Sequence, residues 1–337
     1  MIIHAKNIRG LGALVLCSKV ILKLRNDTNE VLASCELNKK LEELNYDLSV
    51  KEYPLSILGR LFELLFKKIS YGKQVCLVLG DIPLKISSHQ ILYLHNLSLF
   101  EDDTIKDYQS LKRYINRIIL KKNIKYVDAI IVQSEHAKQK VCNFITQYCQ
   151  SDFKGKITNV EMNICGPKTK RCTIGNSNFK LFYPARNYPH KNHELIFRSA
   201  SSIFSRYPDC EILLTLDEGH VFDSRLKALG EISETEVMRI MANDDVVLLF
   251  PSLIESLGLP LIEALREDIP ILAADLAYAH ELCGDAAIYF DPRSTNSLCN
   301  AISKLRVNKN IIRTKRIIDI YSDTAQHIKR VKNEFES

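Results

Sequence analysis

The chain has 337 residues, of which 46% are hydrophobic and 26% are charged. At roughly 150 residues per domain this length predicts two globular domains, and the composition excludes intrinsic disorder. The formal charge of +6 is too small to indicate a nucleic-acid partner. The charge is uneven, however, because residues 1–170 contain 26 basic and 17 acidic side chains. This excess indicates that the first half faces an anionic partner or surface.

Targeting segments and disulfide scaffolds are not expected. No apolar run approaches the roughly 18 residues that cross a bilayer, and the first apolar segment contains Lys19 and Lys23 at helical spacing. We therefore predict an amphipathic first helix rather than an export signal. The ten cysteines contain no C-x-x-C pair, which favours buried thiols over disulfides or a zinc ribbon.

Short β-branched runs alternate with helical patterns along the chain, which is typical of parallel sheets built from βα units. The predicted strands of the first half are Met1–His4, Val75–Leu79, Gln90–His95 and Asp128–Gln133. Those of the second half are Phe179–Tyr183, Glu211–Leu216, Val246–Phe250, Ile271–Ala274 and Ala287–Phe290. Helical spacing is found at Asn192–Phe204, Leu259–Arg266 and Ile311–Phe335.

A polar stretch at 166–178, rich in turn formers, separates the two series of strands and predicts a linker. We therefore predict two parallel-sheet domains, at 1–170 and 178–310, that face a central cleft. A helical segment at 311–337 follows them. It either caps its own domain or returns to the first one.

The basic excess of the first half is concentrated on a helix predicted over 104–122. Its apolar stripe is expected to be buried and consists of Ile105, Tyr108, Leu111, Ile115 and Ile118. A second stripe is basic and consists of Lys106, Arg113, Arg117 and Lys121. This stripe is either a solvated face or a contact with anionic lipid headgroups. The apolar segment 53–68, which also carries basic residues, belongs either to the same surface or to the core.

Ligands of open parallel sheets bind beyond the carboxyl ends of the strands, and one motif there is distinctive. After the strand Val246–Phe250 comes Pro251-Ser-Leu-Ile-Glu-Ser-Leu-Gly-Leu-Pro-Leu-Ile-Glu263. Gly258 permits a tight backbone approach, and Pro260 suits the first turn of a helix whose free amides attract phosphate. Glu255 and Glu263 can both point at one polyhydroxylated ligand. Two glutamates eight apart are commonplace alone, so the surrounding Pro and Gly residues give the motif its specificity.

A second motif follows the strand Phe179–Tyr183. Arg186 and Lys191 lie five residues apart in a loop and can converge on one diphosphate, although such a pair is often only solvated. His190 and His193 flank the lysine, but they lack an acidic or cysteine partner, which argues against a metal site. The sequence also has no clear Asp-x-Asp metal motif.

These motifs, in this order and at this spacing, resemble the C-terminal domain of the retaining GT-B glycosyltransferases of family 4. The resemblance runs from about Phe179 to the C-terminus and includes the segment 229–241 and Tyr321-Ser-Asp-Thr-Ala. In the first half it rests on Gly10-Leu-Gly12, Leu92-Tyr-Leu-His-Asn96 and Ile130-Ile-Val-Gln-Ser134. It implies two Rossmann-like domains, an acceptor-binding one followed by a nucleotide-sugar-binding one, with a last helix that crosses back to the first.

The resemblance also implies roles for single residues, all of them donor-binding or catalytic. Arg186 and Lys191 would bind the diphosphate, Glu263 the ribose and Glu255 the donor sugar. Ser256, Leu257 and Gly258 would offer backbone amides, and Ile232 would contact the base through its backbone. Gly10 or Gly12 would approach the diphosphate from the first domain. His95 would lie near the donor sugar and the attacking hydroxyl, although a histidine at a strand end is often structural. A short glycine pair before a helix is also explained by turn chemistry.

The expected function is transfer of a sugar, with retention and without a required metal or other cofactor, from a nucleotide diphosphate sugar to a glycan acceptor. By resemblance the acceptor is lipid-linked and the setting is bacterial surface polysaccharide assembly in the cytoplasm, at the inner face of the plasma membrane. Two glutamates would also suit a hydrolase, but their phosphate-directed neighbours argue against it. A catalytically silent sugar-nucleotide-binding subunit and a nucleotide-sugar epimerase stay open as alternatives.

Overall fold

The computed structural model describes residues 1–8, 10–46, 49–52, 63–100, 108–162, 171–172, 179–217, 219, 223–307, 311–312 and 318–336. The chain divides into two compact units. Unit 1 consists of Met1–Asn163 and Asp319–Ser337, and unit 2 of Ile164–Ile318. The predicted linker 166–178 lies outside the described residues except for 171–172.

Each unit is built from short strands and longer helices. The strands before the predicted linker are β1 Ile2–Ala5, β2 Glu30–Ala33, β3 Val50–Glu52, β4 Lys68–Ile69, β5 Cys76–Leu79, β6 Lys85–Ile86, β7 Gln90–Tyr93, β8 Ala129–Val132 and β9 Lys156–Asn159. The later strands are β10 Arg171–Cys172, β11 Phe179–Tyr183, β12 Cys210–Leu214, β13 Leu226–Ala228, β14 Val246–Phe250, β15 Ile271–Ala274, β16 Ala287–Phe290 and β17 Ile311–Ile312.

The described helices alternate with these strands. They are α1 Leu11–Lys23, α2 Cys35–Glu43, α3 Tyr108–Asn123, α4 Glu135–Tyr148, α5 His193–Arg206, α6 Glu234–Met241, α7 Leu259–Arg266, α8 Ala277–Cys283, α9 Thr295–Val307 and α10 Ile320–Glu336. Among the described residues, no helix is both long enough and apolar enough to cross a bilayer. Eight cysteines of the described ranges are free thiols, namely Cys17, Cys35, Cys76, Cys142, Cys149, Cys210, Cys283 and Cys299.

Unit 1 contains a parallel sheet in the order β3-β2-β1-β5-β7-β8-β9. Its central strands β1, β5, β7 and β8 are buried along their whole length, as expected for a sheet covered on both faces. The last helix, α10, belongs to this unit and packs against α1. Ion pairs reinforce the contact, since Lys329 Nζ lies 2.8 Å from Asp27 Oδ2. Unit 1 is therefore assembled from both ends of the described sequence.

Unit 2 contains a second parallel sheet, in the order β13-β12-β11-β14-β15-β16. The strand order reverses between β11 and β14, the switch point at which loops diverge and ligands of open sheets bind. Large aromatic side chains fill the core, among them Phe179, Tyr183, Phe250 and Phe290. The strands β10 and β17 form a separate antiparallel pair.

Several elements confirm the sequence-based predictions. The bounds of β11, β14, β15, β16 and α7 are those predicted. The strands β2, β3, β4, β6, β9, β10 and β13 were missed. Of these, β4, β6 and β10 have only two residues and β2 is an internal strand of four, whereas β3, β9 and β13 are edge strands of three or four residues. Edge strands bury one side only, so their hydrophobic signal is weak.

The predicted orientation of the basic helix was wrong. The helix is α3, and Leu111, Ile115 and Ile118 are 41%, 40% and 47% exposed rather than buried. Ile119 and Leu120 face the core instead. The core side also includes a polar residue, Asn123, whose Nδ2 donates to the carbonyl oxygens of Leu64 and Pro83. A hydrophobic period locates an amphipathic helix but cannot determine which face packs when polar residues anchor it. The predicted stripe members Ile105 and Lys106 lie outside the described residues, as does 53–62.

The predicted helix at Ile311–Phe335 was wrong at its beginning. Ile311 and Ile312 form β17, which pairs with Arg171 and Cys172 of β10 in unit 2. The helix begins only at Ile320. Two consecutive isoleucines fit either structure, and the pairing partner is about 140 residues away, so local spacing could not decide between them.

Candidate functional site

Two loops of unit 2 lie side by side at the carboxyl edge of its sheet. The first follows β11 and contains Arg186 and Lys191, and the second follows the neighbouring β14 and contains Glu255. Backbone contacts join them, because the Leu253 N–H donates to the His190 carbonyl oxygen at 2.7 Å. Asn192, in the left-handed region with φ of 57°, donates its Nδ2 to the carbonyl oxygens of Pro251 and Pro292. The loops are therefore one connected structure.

Lys191 and Glu255 meet at the centre of this structure. The ammonium Nζ of Lys191 lies 2.5 Å from Glu255 Oε1, and the side chains are only 19% and 11% exposed. Tyr183 fixes the lysine backbone, because its hydroxyl donates to the Lys191 carbonyl oxygen at 3.0 Å. Burial raises the pKa of Tyr183 well above its ordinary value, so the phenol keeps this proton. The site therefore holds one cation and one carboxylate that are both largely shielded from solvent.

Gly258 begins α7 next to this pair. It has φ of 77° and ψ of 63°, and Pro260 follows in the first turn of the helix. A Cβ atom at Gly258 would lie 3.1 Å from Leu261 Cδ1, so both conformation and space require glycine. The turn presents the N-terminus of α7 at the same edge as Lys191, and helix N-termini stabilise negative charge.

The remaining predicted residues of unit 2 take different positions. Arg186 does not join the central pair but pairs with Glu231, in the loop between β13 and α6 that also contains Ile232. Glu263 is half-buried on α7, and Ser256 is half-buried in the β14 loop. Leu257 is buried, so only its backbone is available to a ligand. The structure thus brings Lys191 and Glu255 together, places Gly258 three residues after Glu255 in the same loop, and pairs Arg186 with a different loop.

The other predicted residues follow strands of unit 1. Gly10 precedes α1 with φ of −78°, a conformation open to any residue, and a Cβ atom there would meet nothing within 4 Å. Gly12 is exposed in the first turn of α1. Neither glycine is thus explained by turn geometry. His95 lies two residues beyond β7 and is mostly buried.

Sequence reasoning missed two groups in unit 1. Asp81, which follows β5, lies 3.3 Å from the His95 ring. It comes directly after a predicted strand, so the rule that selected His95 would also have found it. Lys6 and Glu63 form a buried ion pair at 2.7 Å, with the His4 ring 3.9 Å from the same carboxylate. This cluster has no local sequence signal, because 57 positions separate the lysine and the glutamate.

The described residues include no cluster of three or more His, Cys, Asp or Glu side chains suited to a metal ion. His193, which the sequence places beside Lys191, is buried against the Tyr183 ring at a centroid distance of 5.0 Å. Asp245 pairs with Lys180 at 2.7 Å. The sequence Glu101-Asp-Asp103, which is an acidic run without the Asp-x-Asp spacing, lies outside the described residues.

The fold class is GT-B, as the sequence predicts. HepE from Anabaena, solved in complex with UDP-glucose, is similar with a TM-score of 0.64 and 14% identity, over 99% of this chain and 97% of that one. Trehalose-6-phosphate synthase, studied for glycosyltransfer with retention, is similar with a TM-score of 0.61 and 9% identity, over 99% and 96%. At these identities the likeness shows the fold alone.

The similarity in sequence to a known protein covers a smaller part of the chain than the similarity in structure. The O-antigen chain mannosyltransferase RfbU of Salmonella typhimurium is 31% identical over 77 residues, which are 23% of this chain and 22% of that protein. The matched region is therefore about a fifth of the relative's length. No known family model matches the chain.

Proposed function

We propose that the chain is a retaining glycosyltransferase of family 4 that moves a sugar from a nucleotide diphosphate sugar to a glycan acceptor. The observation that carries the proposal is the partly buried pair of Lys191 and Glu255 beside the N-terminus of α7. A lysine and a helix N-terminus suit a diphosphate, and a neighbouring carboxylate suits sugar hydroxyls. A protein of the same fold has been solved in complex with UDP and with UDP-glucose, which supports the proposal that this chain binds a nucleotide sugar.

The proposed chemistry follows from where charge develops. Breaking the bond between the anomeric carbon and the diphosphate oxygen leaves negative charge on the diphosphate, while the acceptor oxygen bonds to that carbon. The acceptor proton goes to the departing diphosphate. Lys191, Arg186 and the amides of Ser256 to Gly258 stabilise this charge, so no metal cofactor is required.

The other roles concern binding. Glu255 accepts hydrogen bonds from donor-sugar hydroxyls, which compete with Lys191 for its oxygens. Glu263 binds the ribose, and the backbone at Ile232 contacts the base. From the first domain, Gly10 or Gly12 approaches the diphosphate and His95 approaches the donor sugar.

The experiment compares substitutions at opposite ends of β11 and β14. Lys191→Ala and Glu255→Ala are assayed for nucleotide release with UDP- and GDP-sugars and a lipid-linked acceptor, and each should lose about 100-fold in kcat/KM. Lys180→Ala is the matched control, because Lys180 pairs with Asp245 at the opposite edge of β11 and β14. Wild-type turnover in both site variants would contradict the assignment of Lys191 and Glu255 to the donor site.

The same assay separates the alternatives. Turnover of donor without any acceptor would indicate an epimerase. A thermal shift with nucleotide diphosphates but no turnover across the panel would indicate a silent binding subunit.

We further propose that the acceptor is a lipid-linked glycan of bacterial surface polysaccharide assembly, met in the cytoplasm at the inner face of the plasma membrane. The partial similarity to an O-antigen chain mannosyltransferase supports this setting. The surface of α3 supports it as well. Leu111, Tyr114, Ile115 and Ile118 share one face of the helix and are each at least 40% exposed.

The charge of α3 indicates the kind of membrane surface that it would contact. Its sixteen residues include five lysines and arginines and no acidic residue. An outward apolar face combined with cations matches a bilayer that contains anionic lipid, where each cation contributes about 1 kcal/mol. From the sequence, the basic stripe was either a solvated face or a lipid contact, whereas the proposal now rests on the apolar residues.

The membrane proposal is tested by sedimentation with vesicles of phosphatidylcholine, with and without phosphatidylglycerol. The double variant Leu111→Ser/Ile118→Ser should lose most binding to the anionic vesicles. Leu253→Ser is the matched control, because this leucine of unit 2 is about equally exposed. Equal binding by all three proteins, or no preference for anionic vesicles, would contradict the proposal.

A further inference from the structure

Asp81 and His95 occupy equivalent positions on neighbouring strands of unit 1. Asp81 lies two residues beyond β5, and His95 lies two residues beyond β7. The strands β5 and β7 pair in parallel, so both residues lie at the carboxyl edge of the sheet. The loop that contains Gly10 follows β1 at this same edge, because β1 pairs with β5. Asp81 therefore belongs to the region where an open sheet binds its ligand.

One oxygen of Asp81 is turned toward three nitrogens. Oδ1 accepts hydrogen bonds from the backbone N–H groups of His95 at 2.9 Å and Asn96 at 3.2 Å. The same oxygen lies 3.3 Å from Nδ1 of the His95 ring, longer than the 2.7–2.9 Å of a tight charge-assisted bond. Both side chains are only 12% exposed. The carboxylate thus fixes the loop, and it lies within ion-pair distance of the ring that the loop presents.

Asp81 is also an unfavourable choice for this place by local criteria. Its φ is 65°, a left-handed conformation that costs an L-residue about 1 kcal/mol, and it follows Gly80 with φ of 138°. Burial raises the pKa of the Asp81 carboxyl, and the neighbouring His95 opposes this rise. Asparagine would tolerate the conformation and the burial better while still accepting the two backbone bonds. The presence of a carboxyl group here, where asparagine would fit better, therefore indicates a demand from the ring.

We propose that Asp81 is a positioning residue that orients the His95 imidazole and holds its proton on Nδ1. In the neutral ring the other nitrogen, Nε2, is then the acceptor, which suits a hydrogen bond from a sugar hydroxyl. This inference rests on the proposed function, since it supplies the orientation that a donor-sugar contact by His95 requires. Asp81 itself touches no substrate.

The test uses two readouts, the first of which needs no substrate. In the full chain labelled with ¹⁵N-histidine, the long-range ¹H–¹⁵N spectrum distinguishes an Nδ1–H from an Nε2–H ring, and His95→Gln identifies the signal. We expect the Nδ1–H form in the wild type and a loss of that preference in Asp81→Asn. An Nε2–H ring in the wild type overturns the inference, whether or not the variant folds.

The second readout is activity. Asp81→Asn should lower kcat about tenfold, the equivalent of roughly 1.4 kcal/mol from one charged hydrogen bond, and change the donor KM less than twofold. Asp128→Asn is the matched control. Asp128 Oδ1 lies 3.3 Å from His89 Nδ1, and Asp128 accepts from the Gln90 backbone N–H at 2.8 Å, but this pair is exposed at the opposite edge of the sheet.

The outcomes separate this inference from the proposed function. If the wild type releases nucleotide and both variants match it in kcat, the inference is wrong while the proposed function stands. If the wild type is inactive with every donor but shows the Nδ1–H ring that depends on Asp81, the orientation is supported and the proposed function fails.

Discussion

The conformation of Gly258 makes a quantitative prediction for Gly258→Ala. An L-residue with φ of 77° costs about 1–2 kcal/mol, and alanine returns about 0.4–1 kcal/mol by restricting the unfolded chain. The new Cβ atom must also displace Leu261 Cδ1, 3.1 Å away, and it lies 3.6 Å from Phe250 Cε1. The free energy of unfolding of unit 2 should therefore fall by about 2 kcal/mol.

Gly230→Ala separates the two contributions. Gly230 has a similar φ of 68°, but a Cβ atom there meets nothing within 4 Å, so this variant carries the conformational cost alone, about 1 kcal/mol. Thermal unfolding followed by circular dichroism should show a Tm lower by about 2–4 °C for Gly230→Ala and about twice that for Gly258→Ala. If Gly258→Ala is no less stable than Gly230→Ala, the steric part of the reasoning is refuted.

Other predictions concern buried charges and loops. Lys6→Met leaves Glu63 buried without its cation and should cost about 3–5 kcal/mol in urea unfolding, whereas Lys23→Met, at the half-exposed Asp319 pair, should cost under about 1 kcal/mol. Burial alone would raise the pKa of Glu63, but His4 and Lys6 outweigh it and hold it at about 2. The stability from this depressed pKa is complete above the unfolded value of 4.5 and is lost as pH falls toward 2, which an acid titration of wild type and Lys6→Met should show. Asn192→Ala loses two hydrogen bonds and puts alanine in the left-handed region, so it should lower the free energy of unfolding by about 2 kcal/mol, while Asn192→Gly should lower it less.

The sequence predicted best where local signals are strong. The strand β14 is a continuous apolar run, and β11 is interrupted only by Lys180. The residues after both strands follow the rule for parallel sheets, so Lys191 and Glu255 were selected, and the structure brings these two side chains together. Asp81 obeys the same rule, but a single aspartate after a glycine is also common in turns, so its local signal is weak.

Other features depend on contacts that no local pattern encodes. The outward orientation of Leu111 and Ile118 depends on Asn123, whose amide donates to carbonyl groups 40 and 59 positions away. The pairing of Arg186 with Glu231 likewise joins separate loops across 45 positions. Hydrophobic periodicity describes one element at a time and contains no information about its distant partners.

The position of α10 has a consequence for synthesis. The ribosome makes this helix after all of unit 2, yet its contacts include α1 and Asp27, which precede unit 2 in the sequence. The nascent unit 1 must therefore wait, with the docking surface of α1 unoccupied, while about 155 intervening residues emerge. At 5–20 residues per second this interval lasts roughly 8–30 s, a period in which that apolar surface is open to chaperones and to aggregation.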